Sequence, residues 1–375
     1  MSTAPRIAIV GGGLGGLVCA RTLQRLGVPV TVFEREATPD SRSQGGNLDI
    51  RADTGQVGLR AAGLLDEFLA LSRPEGQEMR LMDRSATLLH HHRPEPGDTG
   101  APEVDRGQLR ALLLDSLTPG TVRWDHSVAR AVPLGDGTVR LEFTRGNVEE
   151  FDLVVGADGA WSQVRAALSD AQPAYTGCTF VEARFDDVDR RFPALAERVG
   201  QGTLWAKAGC LSLMAQRNAD AQIRVYVGFR GPLDWHEGID PTDTEALRAR
   251  LLGMFEGFDE SLRELMRLND GAFIVRPVFV LPVPHCWERV PGITLLGDAA
   301  HLMPPVGVGA NLAMLDGAEL ARALADRPEV DAAVAAYEDV MVPRSAEQAA
   351  ATAALLAALM PDTDSTEPGF PDFFG

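Results

Sequence analysis

Three separated segments of this 375-residue chain carry residue types suited to holding phosphate and ribose. The first is Gly11-Gly12-Gly13-Leu14-Gly15-Gly16, directly after an apolar run at 6–10. Helical spacing of apolar residues follows over 17–26, Gly27 ends it, and 28–33 reads as a second strand closed by Glu34 and Arg35. Strand, glycine turn, helix, strand, acid is the first half of a dinucleotide-binding fold. Gly11 allows a sharp turn, Gly13 lets the backbone approach a pyrophosphate, and Gly16 lets the helix pack close to the sheet. Amides at the helix start, Leu14 among them, meet negative oxygens. Glu34 stands where a carboxylate accepts from ribose hydroxyls. On this pattern alone the ligand is NAD or FAD.

The second segment is Gly156-Ala157-Asp158-Gly159, at the end of a buried strand over 151–155, with a helix expected over 161–165. The third is Gly297-Asp298-Ala299-Ala300-His301, delivered by a strand at 293–296. Pro304, Pro305, Gly307, Gly309, Ala310 and Asn311 follow it, then a helix over 312–325. An acid in a glycine turn at a strand end is a binding position. The three turns are far apart in sequence, and one extended dinucleotide spanning them explains all three.

Other elements must position these turns. Gly45-Gly46-Asn47-Leu48-Asp49 follows a polar stretch at 38–44 and opens a short strand; the glycine pair is either an ordinary turn or a place of close approach to a ligand. Asp105 is placed to cap a helix running to about 117. Arg106 and Arg110 share one face of it and call for an acidic partner, a protein carboxylate or a cofactor phosphate. Residues 79–91 read as a strand pair around Asp83-Arg84. His90, His91 and His92 alternate faces on a strand, so they do not converge on one metal. From about 179 to 229 short runs alternate apolar and polar, most clearly at 211–214 and 223–229, as in a half-exposed antiparallel sheet. Helices are expected at 54–61, 64–71, 244–255, 261–268 and 346–360. The expected fold class is α/β, a Rossmann-like cofactor domain interleaved with a substrate domain built on an antiparallel sheet. The cofactor domain takes 1–72, 103–172 and 273–340. The substrate domain takes 73–102 and 173–272, and a C-terminal helix and loose tail occupy 341–375.

The bulk numbers narrow the function. Formal charge is −18, which argues against a nucleic-acid binder and against docking on an anionic membrane. No run of 18 apolar residues predicts a membrane span. Cys19, Cys178, Cys210 and Cys286 form no CxxC pair and show no metal-site spacing with histidine. A reducing, cytoplasmic location without metal is the expectation.

Taken together, the motifs resemble the group A flavoprotein monooxygenases related to para-hydroxybenzoate hydroxylase, with most likeness to the tetracycline-inactivating subgroup. The likeness runs from Ile7 to about Tyr337 and rests on Gly11 to Gly16 with Glu34, on Asp158-Gly159 with Ser162 and Arg165, and on Gly297-Asp298 with His301 and Pro304. The fold implied is a glutathione-reductase-type FAD domain. The resemblance implies that Glu34 binds the adenosine ribose, with Arg35 near that end. It sets Arg110 near the flavin phosphate or ribityl chain, with Arg106 beside it. It puts Gly46, Asn47 and Asp49 near the flavin ring and Asp298 on the ribityl chain or pyrophosphate. The loop from Pro304 to Asn311 would lie against the isoalloxazine.

The same resemblance implies NADPH as a transient co-substrate, molecular oxygen, and hydroxylation of an aromatic or polyketide small molecule through a C4a-hydroperoxyflavin. A tetracycline-like compound, and hence antibiotic resistance, is one candidate. Two departures stand out. The flavin loop has valine where relatives carry glutamine, and is one residue shorter. The glutamine, arginine and histidine that anchor tetracyclines in the subgroup fall opposite Glu182, Thr203 and Arg224, which keep none of those residue types. Met214 joins these three on the substrate side. Competing readings are an FAD oxidase or dehydrogenase, a Baeyer–Villiger-type enzyme, and a non-enzymatic flavin-binding redox sensor.

Overall fold

Ile7–Val10 is buried along its whole length, as a strand covered on both faces must be. In the computed structural model, which describes residues 4–41, 45–362 and 370, it pairs in parallel with Val30–Phe33 on one side and Leu153–Gly156 on the other. Val122–Arg123 and Ile293–Leu295 extend the sheet at its two edges, also in parallel. A three-stranded antiparallel ladder, Val128–Pro133, Val139–Phe143 and Val148–Phe151, lies on the crossover. Its Phe143 and Phe151 rings pack against Phe33 at 4.9 and 5.7 Å.

Helices Leu14–Arg25 and Gly309–Asp326 cross over this sheet at close quarters. Glycine makes the crossing possible. A Cβ at Gly15 would stand 2.6 Å from the Ala313 carbonyl oxygen, and one at Gly317 would stand 2.3 Å from the Gly15 oxygen. Both backbones therefore approach more closely than any side chain allows.

The second lobe is a seven-stranded sheet. Its order is Ile274–Val280, Ala174–Phe185, Gln222–Arg230, Leu211–Asn218, Thr203–Ala208, Met79–Asp83 and Leu88–His92. It is not wholly antiparallel: Met79–Asp83 runs parallel to Thr203–Ala208. One face packs Val181, Ala183, Phe185, Leu204, Leu213, Val225 and Val227 against helices Thr244–Met254 and Glu260–Arg267 and helix Pro193–Val199, an element the alternating pattern did not announce. His91 meets Glu78 at 2.7 Å, while His90 and His92 stand on the opposite face beside Leu81 and Met79.

Two expected elements differ. Residues 161–164 form no α-helix, and only a short 3-10 turn, Arg165–Ala167, is present. The Asp158 carboxylate takes the amides of Gln163 and Val164 and the Ser162 hydroxyl, drawing that backbone into a side-chain-bonded turn. The C-terminal helix does not begin near 346. It is one helix of 30 residues, Val330–Leu359, running unbroken through Pro343 and across position 341. Its first half bonds to the parallel sheet through Tyr337 and Leu295. Its end packs Leu356 and Leu359 on Cys178 and Val278 of the second sheet. The expected tail lies outside the described residues apart from 361, 362 and 370, as do 42–44 of the polar stretch before Gly45.

Gly317→Ala is expected to lower unfolding free energy by about 1–3 kcal/mol in urea denaturation. Gly253→Ala, in a helix where a new Cβ meets nothing within 4 Å, should instead gain about 0.5–1 kcal/mol. Equal effects at the two sites would contradict the close crossing.

Candidate functional site

The Gly11–Gly16 turn is shaped for a ligand and has none of the usual protein substitutes. Helix Leu14–Arg25 has Gly13 as its N-cap, no side-chain cap and no acid in its first turn. A Cβ at Gly13 would meet nothing within 4 Å, so the helix start faces open space. At Gly16 the same test gives 2.3 Å to the Gly11 oxygen, which fixes helix against strand. Gly11 itself has φ +112° and lies against Ala157. Glu34, buried at the end of its strand, accepts from Gly12 N at 2.8 Å and from Glu36 N at 3.0 Å. A carboxylate has about four acceptor sites, so capacity remains for hydroxyls. Arg35 is exposed.

Arg110 is held by protein groups. Its Nε donates to the Gly12 carbonyl at 3.0 Å, and its two terminal nitrogens to Pro39 O and to the Glu36 carboxylate. Of the two partners open at the outset, the protein carboxylate is the one found, and it comes from Glu36, which sequence reasoning did not single out. Arg106 begins the same helix, with its side chain beside Gly45. Asp105 caps that helix through Gly107 N and Gln108 N.

The other two turns meet the first from the neighbouring strands. Asp158 is turned inward on Ser162, and burial raises its pKa against several hydrogen bonds that lower it. Arg165 ties that turn to the third by donating to Ala299 O at 3.1 Å. In the third turn Gly297 takes a positive φ and its N–H meets Asp316 at 3.1 Å. Asp298 is exposed, without a hydrogen-bond partner among the described residues, and its oxygen lies 3.8 Å from a Cβ built at Gly309. His301 is buried on Asp316 at 2.6 Å. Burial disfavours its charge, but Asp316 outweighs that and its pKa is raised. Arg344 completes the cluster from the long C-terminal helix, reaching Asp316 and Glu319 at 2.8 Å each.

Asn311 joins this turn to Asp49. Its Nδ2 donates to Asp49 O at 2.8 Å and Gly307 O at 3.1 Å, and its Oδ1 accepts from Arg51 N at 2.9 Å. Gly307 faces the Asp49 carboxylate, Pro305 is exposed, and Gly309 and Ala310 open a second helix without a side-chain cap. Burial pushes the Asp49 carboxyl up to about 6. Directly opposite across a two-stranded ladder stands Glu103, which burial pushes up to about 7. Asn47 bonds Glu103 at 2.8 Å and reaches the second lobe at Arg217 O, 2.7 Å away.

Glu182, Thr203, Met214 and Arg224 all project from the face of the large sheet opposite its helix-covered core. Alternation requires this, since Val181, Ala183, Leu204, Leu213 and Val225 point the other way. Glu182, Tyr226, Met214 and Trp205 stand side by side in one row across four strands. Thr203 lies at the sheet's end, where its N–H meets Glu78 O. Glu182 is buried and shared by Arg224 and Arg276. Gly46 brings the first lobe onto this face, where a Cβ would stand 2.5 Å from the Tyr226 hydroxyl. Tyr226, Arg276 and Glu103 were missed in the sequence. Tyr226 was findable, two residues from Arg224 on an alternating strand; Glu103 carried no local signal.

A parallel sheet ending in glycine turns, with a buried acid beside the first and a second sheet facing them, is the architecture of a two-lobed dinucleotide-binding protein. A family model described as "FAD binding domain" matches residues 5–345. The chain is 30% identical to "Monooxygenase penA" of Penicillium thymicola, over 91% of this chain and 92% of that one. Among solved structures, Klebsiella pneumoniae HpxO with FAD and uric acid superposes with TM-score 0.81 at 20% identity, covering 95% and 89% of the two chains. Tetracycline destructase Tet(51) superposes with TM-score 0.72 at 19% identity, covering 97% and 94%. The chain belongs to the FAD-dependent monooxygenases of the aromatic hydroxylase family. Among the described residues no helix is long and apolar enough to cross a membrane, and no three His, Cys, Asp or Glu side chains cluster as a metal site.

Glu103 makes stability depend on pH. Its folded pKa lies above the ordinary 4.5, so the unfolded chain releases this proton first as pH rises. The stabilisation contributed by this group is full below about pH 4.5 and is lost by about pH 7, a change of about 3 kcal/mol. Denaturation curves across that range should show the decline in the native protein and a flatter profile in Glu103→Gln.

Proposed function

We propose that this enzyme hydroxylates an aromatic or polyketide small molecule, with NADPH as electron donor and molecular oxygen as co-substrate. The observation that carries the reading is the row of Glu182, Tyr226, Met214 and Trp205, with Gly46 of the cofactor lobe against it. It combines two aromatic rings, an apolar thioether and a paired acid, as a flat, partly polar ring requires.

The residues present fit FAD. Two uncapped helix starts, open space at Gly13 and the unpartnered Asp298 carboxylate supply what an extended dinucleotide needs. In this reading the first-turn amides after Gly13 receive the pyrophosphate, with Gly11 and Gly16 holding the turn. Glu34 accepts from the adenosine ribose, and Arg110 fixes Glu34, Glu36 and Gly12 relative to one another. Asp298 accepts from hydroxyls of the chain joining phosphate to ring. Asn311 holds the loop of Pro305, Gly307 and Ala310 at a set distance from Asp49, and the helix start at Gly309 favours negative charge there. Asn47 locks the ring side of this lobe to the substrate sheet. Bound FAD supplies the hydride acceptor and the centre at which oxygen is activated.

Glu182, Thr203 and Arg224 argue against tetracycline as the preferred substrate, because a buried ion pair occupies the place of neutral donors. Smaller phenolic or heteroaromatic rings suit the row better. HpxO, of the same fold, is a relative crystallised with uric acid.

The test is NADPH consumption by FAD-loaded protein over a panel of phenols, hydroxylated heteroaromatics and a tetracycline, with mass spectrometry of the products. Stimulated consumption with one oxygen atom added supports the proposal. Products lacking two hydrogens would show an oxidase or dehydrogenase instead. Asn311→Leu should leave the chain folded but lower bound FAD at least tenfold, since two hydrogen bonds joining the ring loop to residues 49–51 and a third to Gly307 within the loop are lost; a flavin content equal to that of the native protein would remove Asn311 from this role.

A further inference from the structure

Glu182 is a buried carboxylate shared by two guanidinium groups. Arg224 and Arg276 each donate to one of its oxygens, Arg276 through Nε at 2.5 Å. One acid and two bases leave a net charge of one positive unit. The neighbouring Arg184 does not add to it, being paired with Asp186. Burial raises the pKa of the nearby carboxyls Asp49 and Glu103, which weakens their ionisation without abolishing it at neutral pH. The excess charge therefore sits on a wall whose other members, Phe180, Met214, Trp205 and Val278, are apolar or aromatic.

The two arginines are not equivalent. Arg224 is buried, with its side chain against Gly46. Arg276 has 49% of its side chain exposed, and neither terminal nitrogen has a hydrogen-bond partner among the described residues. Held at Nε by Glu182, its two outer N–H groups form an oriented fork. Phe180, its cross-strand neighbour, packs in the cluster that includes Val306 of the Pro304–Asn311 loop. Gly46 of the cofactor lobe meets Arg224 and Tyr226 beside the same carboxylate, so the fork lies on the face that this lobe approaches. A planar fork with paired parallel donors matches the oxygen pair of a carboxylate, and its two donors can also converge on a single enolate oxygen.

We propose that Arg276 is a specificity-determining residue that anchors an ionised acid group on the substrate ring, a carboxylate or an enolate. Glu182 is its positioning residue: it aims the fork and trims two charges to one. This rests on the assignment of the sheet face as the substrate site.

The experiment titrates FAD-loaded protein and follows the perturbation of flavin absorbance. Two probe pairs are used, 4-hydroxybenzoate with its methyl ester, and 4-hydroxycoumarin with 4-methoxycoumarin. At least one acid should bind more tightly than its methylated partner, and which one does identifies carboxylate or enolate. In Arg276→Gln that preference should fall roughly ten- to a hundredfold, with the neutral partner little changed. Glu182→Gln raises the cluster to two positive charges, so its preference for the acid should stay or grow. Equal binding of both acids and their methylated partners overturns the proposal, as does a preference that survives in Arg276→Gln. Because binding is read without turnover, the proposal can fail while hydroxylation of neutral rings stands. Conversely, acid-selective binding without oxygen transfer to any substrate would sink the hydroxylase reading alone.

Discussion

The approach of two helices at Gly15 and Gly317 is the constraint on which the cofactor lobe depends. The first glycine turn and the third lie almost 300 residues apart in the chain, yet they must present to one ligand. Bare backbone at the crossing lets helix Leu14–Arg25 and helix Gly309–Asp326 close to a separation that any β-carbon would prevent. Their open starts then face the same space. His301, Asp316 and Arg344 secure the arrangement behind the third turn, and Arg165 secures the second to it. In the proposed reading these groups stand behind the ligand-facing turns and fix them in place.

Much of the cofactor lobe was legible because its signals are local. Glycines at fixed offsets, an acid at the end of the next strand and Asp105 before a helix each act within a few residues, and each is where the sequence put it. The substrate side was legible only by periodicity and resemblance. Alternation showed a half-exposed sheet, and Glu182, Thr203 and Arg224 were singled out only by the family resemblance; register across strands decides neighbours, and register is set by tertiary packing. That is why the Glu182, Tyr226, Met214 and Trp205 row, and Arg276 arriving on a strand nearly a hundred residues later, were invisible. The helix expected at 161–165 failed for a local reason of a different kind. Its helix-like apolar spacing competed with the Asp158 side chain, and the side chain won.

The meeting of the lobes is polar on one side and apolar on the other. Asn47 and Arg73 cross to the main chain at Arg217, while Gly46 lies bare against Tyr226. At the far margin Leu356, Leu359 and Val306 close over Cys178, Phe180 and Trp205. The space between these seams is bordered by the buried carboxyls of Asp49 and Glu103, whose pKa values are raised, and by the guanidinium groups of Arg224 and Arg276. Its electrostatic character is therefore set by side chains on the sheet rather than by the strongly acidic surface of the chain as a whole.

The long helix Val330–Leu359 begins on the parallel sheet and finishes on the seven-stranded sheet, and Arg230 grips its end at the Met360 carbonyl. It acts as a strut of fixed length between floor and roof. In the proposed reading, the spacing of the two sheets at the substrate face depends on the last turns of this helix, which carry none of the proposed site residues. Exchanging alanine and leucine along its last turns would raise or lower the roof while leaving every polar group in place. In this architecture the range of ring sizes admitted can drift independently of the reaction performed.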